Sequence, residues 1–350
     1  MSYKYTMNSS ISEILSDPEI RNYLPGVFSP FLLDSVPKKM LDTSLTEVSE
    51  KVMTAWGFPF PGEGFLHSAL LAKKLADRSR YHYIPLWNRQ TDDYEPKFKN
   101  DRDSVTLLDI RTKDQKVRPA AVICPGGGYE FLMSDNEGIS YGEMLDQMGY
   151  HSFVLTYRVA PYRYPIPQTD LALAMKYIRA NSKELNIDPD RILIIGSSAG
   201  GHLCASFAAE PEKYERILQE ELKTGFPLLA EAYAGISVRP DMVCLCYPVI
   251  SFVSEQHEES FQNLSGGDES LRKPLSVELV ADSRYPRTFI WACKDDAVVP
   301  VSNSIRMKEA LDSSGADAML AVYPTGGHGC GTAEGTSAEG WAKEMAEYFR

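Results

Sequence analysis

No stretch of about 18 consecutive apolar residues occurs in this sequence, so no segment has the length of a bilayer-spanning helix. The first twenty residues carry acids and amides and hold no apolar run of signal-peptide length, which makes the cytoplasm the expected compartment. Cations are in short supply: 36 Lys and Arg against 48 Asp and Glu leave a net charge of −12. Affinity for polyanions comes from clustered Lys and Arg, so neither a nucleic acid nor an anionic membrane is an expected partner. Only six cysteines occur (Cys124, Cys204, Cys244, Cys246, Cys293 and Cys330), with no C-x-x-C spacing. They are expected as free thiols packed like small apolar side chains. Cys244 and Cys246 share one face of a strand-like run, with a metal site as the alternative reading. Neither G-x-G-x-x-G nor G-x-x-x-x-G-K-[ST] is present, so the glycine-rich stretch at 126–128 is not a phosphate cradle.

What is present is an ordinary globular balance, 43% hydrophobic and 24% charged over 350 residues. Residues 1–80 read as short helices broken by Pro25, Pro30, Pro37, Pro59 and Pro61. Ser10-Ile11-Ser12-Glu13 opens one of them, and Leu70, Leu71 and Leu75 mark another. They are expected to form a helical N-terminal extension packed on the main domain, with a separate binding module as the alternative.

From residue 81 to 350 strands alternate with helices. Eight strand-like runs occur at His82–Trp87, Ser104–Ile110, Ala120–Cys124, Ser152–Thr156, Ile192–Ile195, Met242–Tyr247, Thr288–Ala292 and Ala318–Tyr323. Leu171, Ala174, Met175 and Ile178 keep one helical face. Alternation of this kind predicts a mostly parallel sheet with helices on both faces. The stretches Glu210–Asp241 and Ser254–Arg287 interrupt the rhythm after strand ends and are candidate lid segments.

Ile192–Ile195 runs into Gly196-Ser197-Ser198-Ala199-Gly200, a G-x-S-x-G between a predicted strand and a predicted helix. A serine at the tip of so tight a turn needs small neighbours two before and two after it. The turn pushes the Ser198 hydroxyl outward and aims the first helical N–H groups at the same spot. Ser197 competes as a hydroxyl but stands at the wrong position of the motif. Downstream, the seventh strand leads into Lys294-Asp295-Asp296-Ala297 and the eighth into Gly326-Gly327-His328-Gly329. His328 is the expected base. Asp296 is favoured as the acid that orients it, with Asp295 as a solvated or loop-capping carboxylate. His202, four residues after Ser198, is expected to pack behind the turn, and His257 to be solvated in a polar insertion. After the third strand, Pro125-Gly126-Gly127-Gly128 can turn backbone N–H groups inward; Gly126, Gly127 or Gly128, with Ala199, would bind a developing oxyanion.

These motifs resemble a known family. Pro125-Gly-Gly-Gly-Tyr129 with Ser134 and Glu137-Gly138, Tyr157-Arg-Val-Ala-Pro-Tyr162, Gly196-Ser-Ser-Ala-Gly-Gly-His202, Tyr247-Pro-Val-Ile-Ser251, Asp295-Asp296 with Val299-Pro300, and Gly326-Gly-His-Gly329 follow one another over residues 84–350. They are similar to the esterase/lipase group near acetyl-xylan esterases and dienelactone-hydrolase-like enzymes. The resemblance implies an α/β-hydrolase fold and hydrolysis of carboxylic esters, often of acetylated sugars. It carries over Ser198, Asp296 and His328 as a triad and the 126–128 loop with Ala199 as an oxyanion hole. Pro125 stands where many relatives have histidine, and Ala292-Cys293 where many have His or Gly. The expected substrate is a small-molecule or oligosaccharide ester, with no cofactor and no metal. An amidase or peptidase on the same triad, and a silent hydrolase fold that only binds, are the rival readings.

Overall fold

The computed structural model describes residues 4–350 except 55, 56, 58, 78, 89–93, 95 and 111–115. The chain divides into two compact units, Met1–His82 with Met133–Asp135, and Tyr83–Leu132 with Asn136–Arg350.

The first unit is helical. Its first helix, α1 (Ile11–Leu15), opens where the Ser-x-x-Glu pattern predicts: Ser10 Oγ accepts the Glu13 N–H at 3.1 Å. Further short helices follow at α2 (Pro18–Tyr23), α3 (Pro30–Asp34) and α4 (Leu45–Lys51), two of them starting on proline, which suits the first helical turn. The long helix α5 (Gly62–Leu75) buries Phe65, Leu71 and Leu75, and Phe65 meets Phe28 edge to face.

The second unit is built on an eight-stranded sheet: β1 (His82–Pro85), β2 (Thr106–Asp109), β3 (Arg118–Cys124), β4 (His151–Thr156), β5 (Ile187–Ser197), β6 (Met242–Cys246), β7 (Arg287–Cys293) and β8 (Ala318–Tyr323). Their spatial order is β1-β2-β4-β3-β5-β6-β7-β8. β2 runs antiparallel to β4, and every pairing from β4 to β8 is parallel. The central strands are buried over most of their length, β6 throughout and β3 and β4 save at one end, as a sheet covered on both faces requires. Alternate residues serve opposite layers. Val122, Ile194, Leu245 and Ile290 join one continuous core with α7 (Ile166–Ala180) and α8 (Ser198–Ala209). On the opposite face, α6 (Ser140–Gln147) approaches so closely that a Cβ on Gly142 would lie 2.6 Å from Ile110 Cδ1 and 3.5 Å from Ile123 Cδ1. There too Trp291 of β7 stacks on Trp341 of the last helix, Trp341–Tyr348, at 5.0 Å. This is the architecture of an α/β-hydrolase.

The stretch 210–241 carries a helix, Pro211–Gly225, whose Tyr214, Leu218 and Leu222 are buried in the same core as α7; it is a layer of the fold rather than a cover. The stretch 254–287 lies nearer the strand ends. Its helix Glu258–Ser265 is tied to the glycine loop by Asn263 Nδ2 donating to the Gly128 carbonyl at 2.9 Å.

Candidate active site

The C-terminal ends of β3, β5, β7 and β8 converge where an open α/β sheet holds its ligands. β5 ends at Ser197 and α8 begins at Ser198, with no residue between them. Ser198 takes up the strain of that reversal, with φ at +53°, a left-handed value uncommon for a residue with a side chain. Both flanking glycines are dictated by contact. A Cβ on Gly196 would stand 2.1 Å from the Gly200 carbonyl oxygen, and one on Gly200 would stand 2.1 Å from the Cys124 carbonyl oxygen. The turn can close only with glycine at both places.

Three predicted residues come together on this turn. His328 Nε2 lies 2.9 Å from Ser198 Oγ, and His328 Nδ1 lies 2.7 Å from Asp296 Oδ2. Asp296 is itself fixed, because its Oδ1 accepts the N–H groups of Val298 at 2.9 Å and Val299 at 2.8 Å. With Nδ1–H donated to the carboxylate, the lone pair of Nε2 faces the serine hydroxyl, as proton abstraction requires. Asp295 points elsewhere. Its two oxygens accept the N–H of Gly326 at 3.2 Å and of Gly327 at 2.8 Å, so it caps the loop that carries His328. Those hydrogen bonds, Gly327 foremost, hold the Asp295 carboxyl below its ordinary range. Ser197 is fully buried and donates to Tyr141 Oη at 3.1 Å, away from His328.

The glycine loop needs one correction. Gly126 was expected among the oxyanion donors, but its N–H is already given to Glu137 Oε2 at 2.8 Å. Among the described residues the N–H of Gly127 and Gly128 have no backbone or side-chain acceptor. Ala199 stands in the first turn of α8, where N–H groups have no intrahelical acceptor. The loop is braced from behind: Tyr157 Oη donates to the Pro125 carbonyl at 2.6 Å, and Ala160 N–H donates to the Tyr129 carbonyl at 2.8 Å. A serine hydroxyl on an oriented imidazole and backbone N–H groups free to bind an anion are the parts that acyl transfer needs.

The family model named BD-FAE matches residues 108–311, more than half of the 350-residue chain. The chain belongs to the BD-FAE family. The crystal structure of an acetyl ester-xyloside bifunctional hydrolase from Caldicellulosiruptor lactoaceticus is 34% identical, with a TM-score of 0.64 over 77% of this chain and 95% of that one. Endo-1,4-beta-xylanase B of Butyrivibrio fibrisolvens is 33% identical over 65% of this chain, and the acetylxylan esterase of Xylanibacter ruminicola is 31% identical over 61%. The chain spans only 35% and 41% of the length of those two curated relatives. The matched BD-FAE segment contains Ser198 and Asp296 and ends before His328.

Two further histidines of this BD-FAE chain lie near the turn. His202 is buried, with Nε2 2.7 Å from the Leu275 carbonyl and Nδ1 2.9 Å from Tyr129 Oη. The carbonyl can only accept, so Nε2 carries the proton and Nδ1 accepts from the tyrosine. Burial pushes its pKa down to about 4, against the opposing bond to Leu275. The unfolded chain therefore binds a proton on His202 below its ordinary pKa of about 6.5, while the native state resists it until about 4. Stability is lost as the pH falls through that window, by roughly 2–3 kcal/mol at pH 4.5 from this residue alone. Urea denaturation at pH 7 and pH 4.5 checks this: His202→Gln is less stable than wild type at pH 7 but loses less on acidification. Equal losses in both proteins would remove His202 from the acid sensitivity.

His257 is a second correction. It was expected in solvent, yet its side chain is only 18% exposed. Its Nδ1 caps the helix Glu258–Ser265, accepting from Ser260 N–H at 3.3 Å and lying 2.9 Å from Ser260 Oγ. Burial lowers its pKa. Glu137 and Tyr247 had no assigned role in the sequence, though both stand in motifs that carry the resemblance. Glu137 is 2% exposed, and burial raises its carboxyl pKa against the bonds from Gly126 and Tyr247. Its neighbours tie it to the histidine: Tyr247 Oη donates to Glu137 Oε1 at 2.9 Å, and the Tyr247 ring meets the His328 ring edge to face at 5.1 Å.

Proposed function

We propose that this chain is a serine carboxylesterase that hydrolyses short-chain, acetyl-type esters, with acetylated sugars or xylo-oligosaccharides as the natural class. The observation that carries this reading is the unbroken hydrogen-bonded line Ser198–His328–Asp296 on a strand-to-helix turn. Kinship with an acetylxylan esterase and with an acetyl ester-xyloside hydrolase supports the substrate class.

In the first step Ser198 Oγ bonds to the ester carbonyl carbon as its proton passes to His328 Nε2. The carbonyl oxygen becomes negative facing the N–H groups of Gly127 and Ala199. Asp296 holds the imidazole in its productive tautomer and balances the imidazolium charge. Collapse breaks the bond to the alcohol, which leaves with the proton from Nε2. Water then repeats the sequence on the acyl-enzyme, giving its proton to His328 and releasing the acid and free Ser198.

Short acyl groups are the expected substrates. The segment 254–287 that adjoins the glycine loop is rich in Glu and Ser and holds no long apolar run to line a channel for an alkyl chain. On p-nitrophenyl esters kcat/KM should fall from acetyl to butyryl and fall much further by octanoyl, and acetylated xylo-oligosaccharides should release acetate. A kcat/KM that rises with chain length would sink the substrate class; no turnover of any ester would sink the esterase reading.

A further inference from the structure

Below the proposed reaction centre lies a carboxylate that the mechanism above does not use. Glu137 sits on a π-helical turn, Ser134–Ile139, that leads into α6. Turns of this kind recur at functional sites. Here the Glu137 side chain is buried against the glycine loop. Its two oxygens divide between two loops: Oε2 takes the Gly126 N–H at 2.8 Å, and Oε1 takes the Tyr247 hydroxyl at 2.9 Å. The Tyr247 oxygen in turn accepts the Gly331 N–H at 3.2 Å, in the loop that carries His328. Asn136, next to Glu137, donates from Nδ2 to the Gly329 carbonyl at 2.7 Å, one residue after His328. The fit around the carboxylate is close: a Cβ on Gly126 would stand 2.6 Å from Glu137 Oε2 and 2.9 Å from Ser198 Cβ.

We propose that Glu137 is a positioning residue, whose buried carboxylate sets the peptide of Gly126 so that the next N–H, that of Gly127, faces the reacting carbonyl, and which locks the oxyanion loop to the histidine loop through Tyr247. This rests on the esterase reading of the same site. The physical case is that a loop with glycine at 126, 127 and 128 has little intrinsic preference to hold one orientation. Gly127 itself stands at φ +124°. An oxyanion donor is useful only when its direction is fixed before the charge appears. The side chain supplies that fixity, because a buried acceptor held from two sides resists rotation of the donor bonded to it, and a donor turned away from it would be left unpaired in the interior.

The role makes a prediction that a merely structural residue does not. Glu137→Ala frees the Gly126 peptide, so kcat on p-nitrophenyl acetate should fall by about 10²–10³, the cost of a lost oxyanion donor, with KM within threefold of wild type. The Ki of a methyl trifluoromethyl ketone, whose adduct with Ser198 places an oxyanion at the same point, should rise by a similar factor. Glu137→Gln should recover to within about tenfold of wild type. Its amide oxygen can still accept from Gly126, and its NH2 can donate to Tyr247 Oη, whose own proton turns to Tyr141. Tyr247→Phe, which keeps the ring beside His328, should lose about tenfold in kcat and serves if the alanine variant does not fold.

A folded Glu137→Ala with kcat within threefold of wild type overturns the proposal, as does an unaltered Tyr247→Phe. Glu137→Gln as impaired as Glu137→Ala also overturns it, since charge rather than position would then be what matters. Labelling of wild-type Ser198 by a fluorophosphonate separates this from the underlying reading. A wild type that is labelled and turns over substrate keeps the esterase reading whatever the Glu137 variants do; one that does neither fails that reading and takes this proposal with it.

Discussion

Ser198→Ala is expected to remove ester turnover, with kcat falling by on the order of 10⁶, as when the nucleophile of such a unit is deleted in a serine protease. What remains is the acceleration that backbone donors and substrate binding supply without a covalent intermediate. The fold should survive. Alanine is smaller than serine, meets the same backbone demand at φ +53°, and gives up one hydrogen bond, to His328. The neighbouring hydroxyl is the control. Ser197 donates to Tyr141 inside the protein, 3.1 Å away, so Ser197→Ala should keep most of the activity. Steady-state rates on p-nitrophenyl acetate with circular dichroism on both variants decide the matter. If Ser197→Ala were inactive and Ser198→Ala active, the turn would be presenting the other serine.

The second large effect is expected at Asp296. Asp296→Asn should lower kcat by about 10⁴, by analogy with a triad in which the aspartate was changed in the same way. The geometry gives the reason. Oδ1 of Asp296 receives two backbone N–H groups, from Val298 and Val299. An asparagine must keep its carbonyl oxygen on that side, because an NH2 there would face two donors. Its NH2 then points at His328 Nδ1 and forces that nitrogen to accept. The ring proton moves to Nε2, opposite Ser198, and the imidazole can no longer take the serine proton. Asp295→Asn should cost far less, within about tenfold, because an amide oxygen can still accept from Gly327. Comparing the two single variants at one pH above neutrality tests the pair. A crippled Asp295→Asn beside an active Asp296→Asn would exchange their roles, and two active variants would move the acid to another loop.

Much of this site is legible along the chain because its demands are local. G-x-S-x-G is in large part a statement about contacts within five residues, where a Cβ on Gly196 would strike the Gly200 carbonyl oxygen; only the demand for glycine at 200 comes from afar, from the Cys124 carbonyl. The strands that carry it are equally local signals, since a strand buried on both faces is a continuous apolar run. Their boundaries are less so. β5 begins at Ile187, five residues before its apolar run, because Arg118 and Ile187 pair across an irregularity that hydrophobicity does not mark. The first strand ends at Pro85, short of the apolar run that continues to Trp87.

By itself, then, the order of residues determined the alternation of strand and helix, the serine that stands at the turn, and the succession in which the loops of Asp296 and His328 follow it. Each depends on neighbours in sequence: periodicity, small residues at a crowded bend, glycines around a histidine. Only the tertiary structure decided which groups the loops offer one another. It gave Gly126 N–H to Glu137, turned Asp295 onto the histidine loop and Asp296 onto the histidine itself, and drew His257 out of solvent to cap a helix. Those outcomes turn on directions across a few ångströms between residues far apart along the chain. A hydrogen bond is made or lost within about half an ångström and a few tens of degrees, a resolution that spacing along a sequence does not carry.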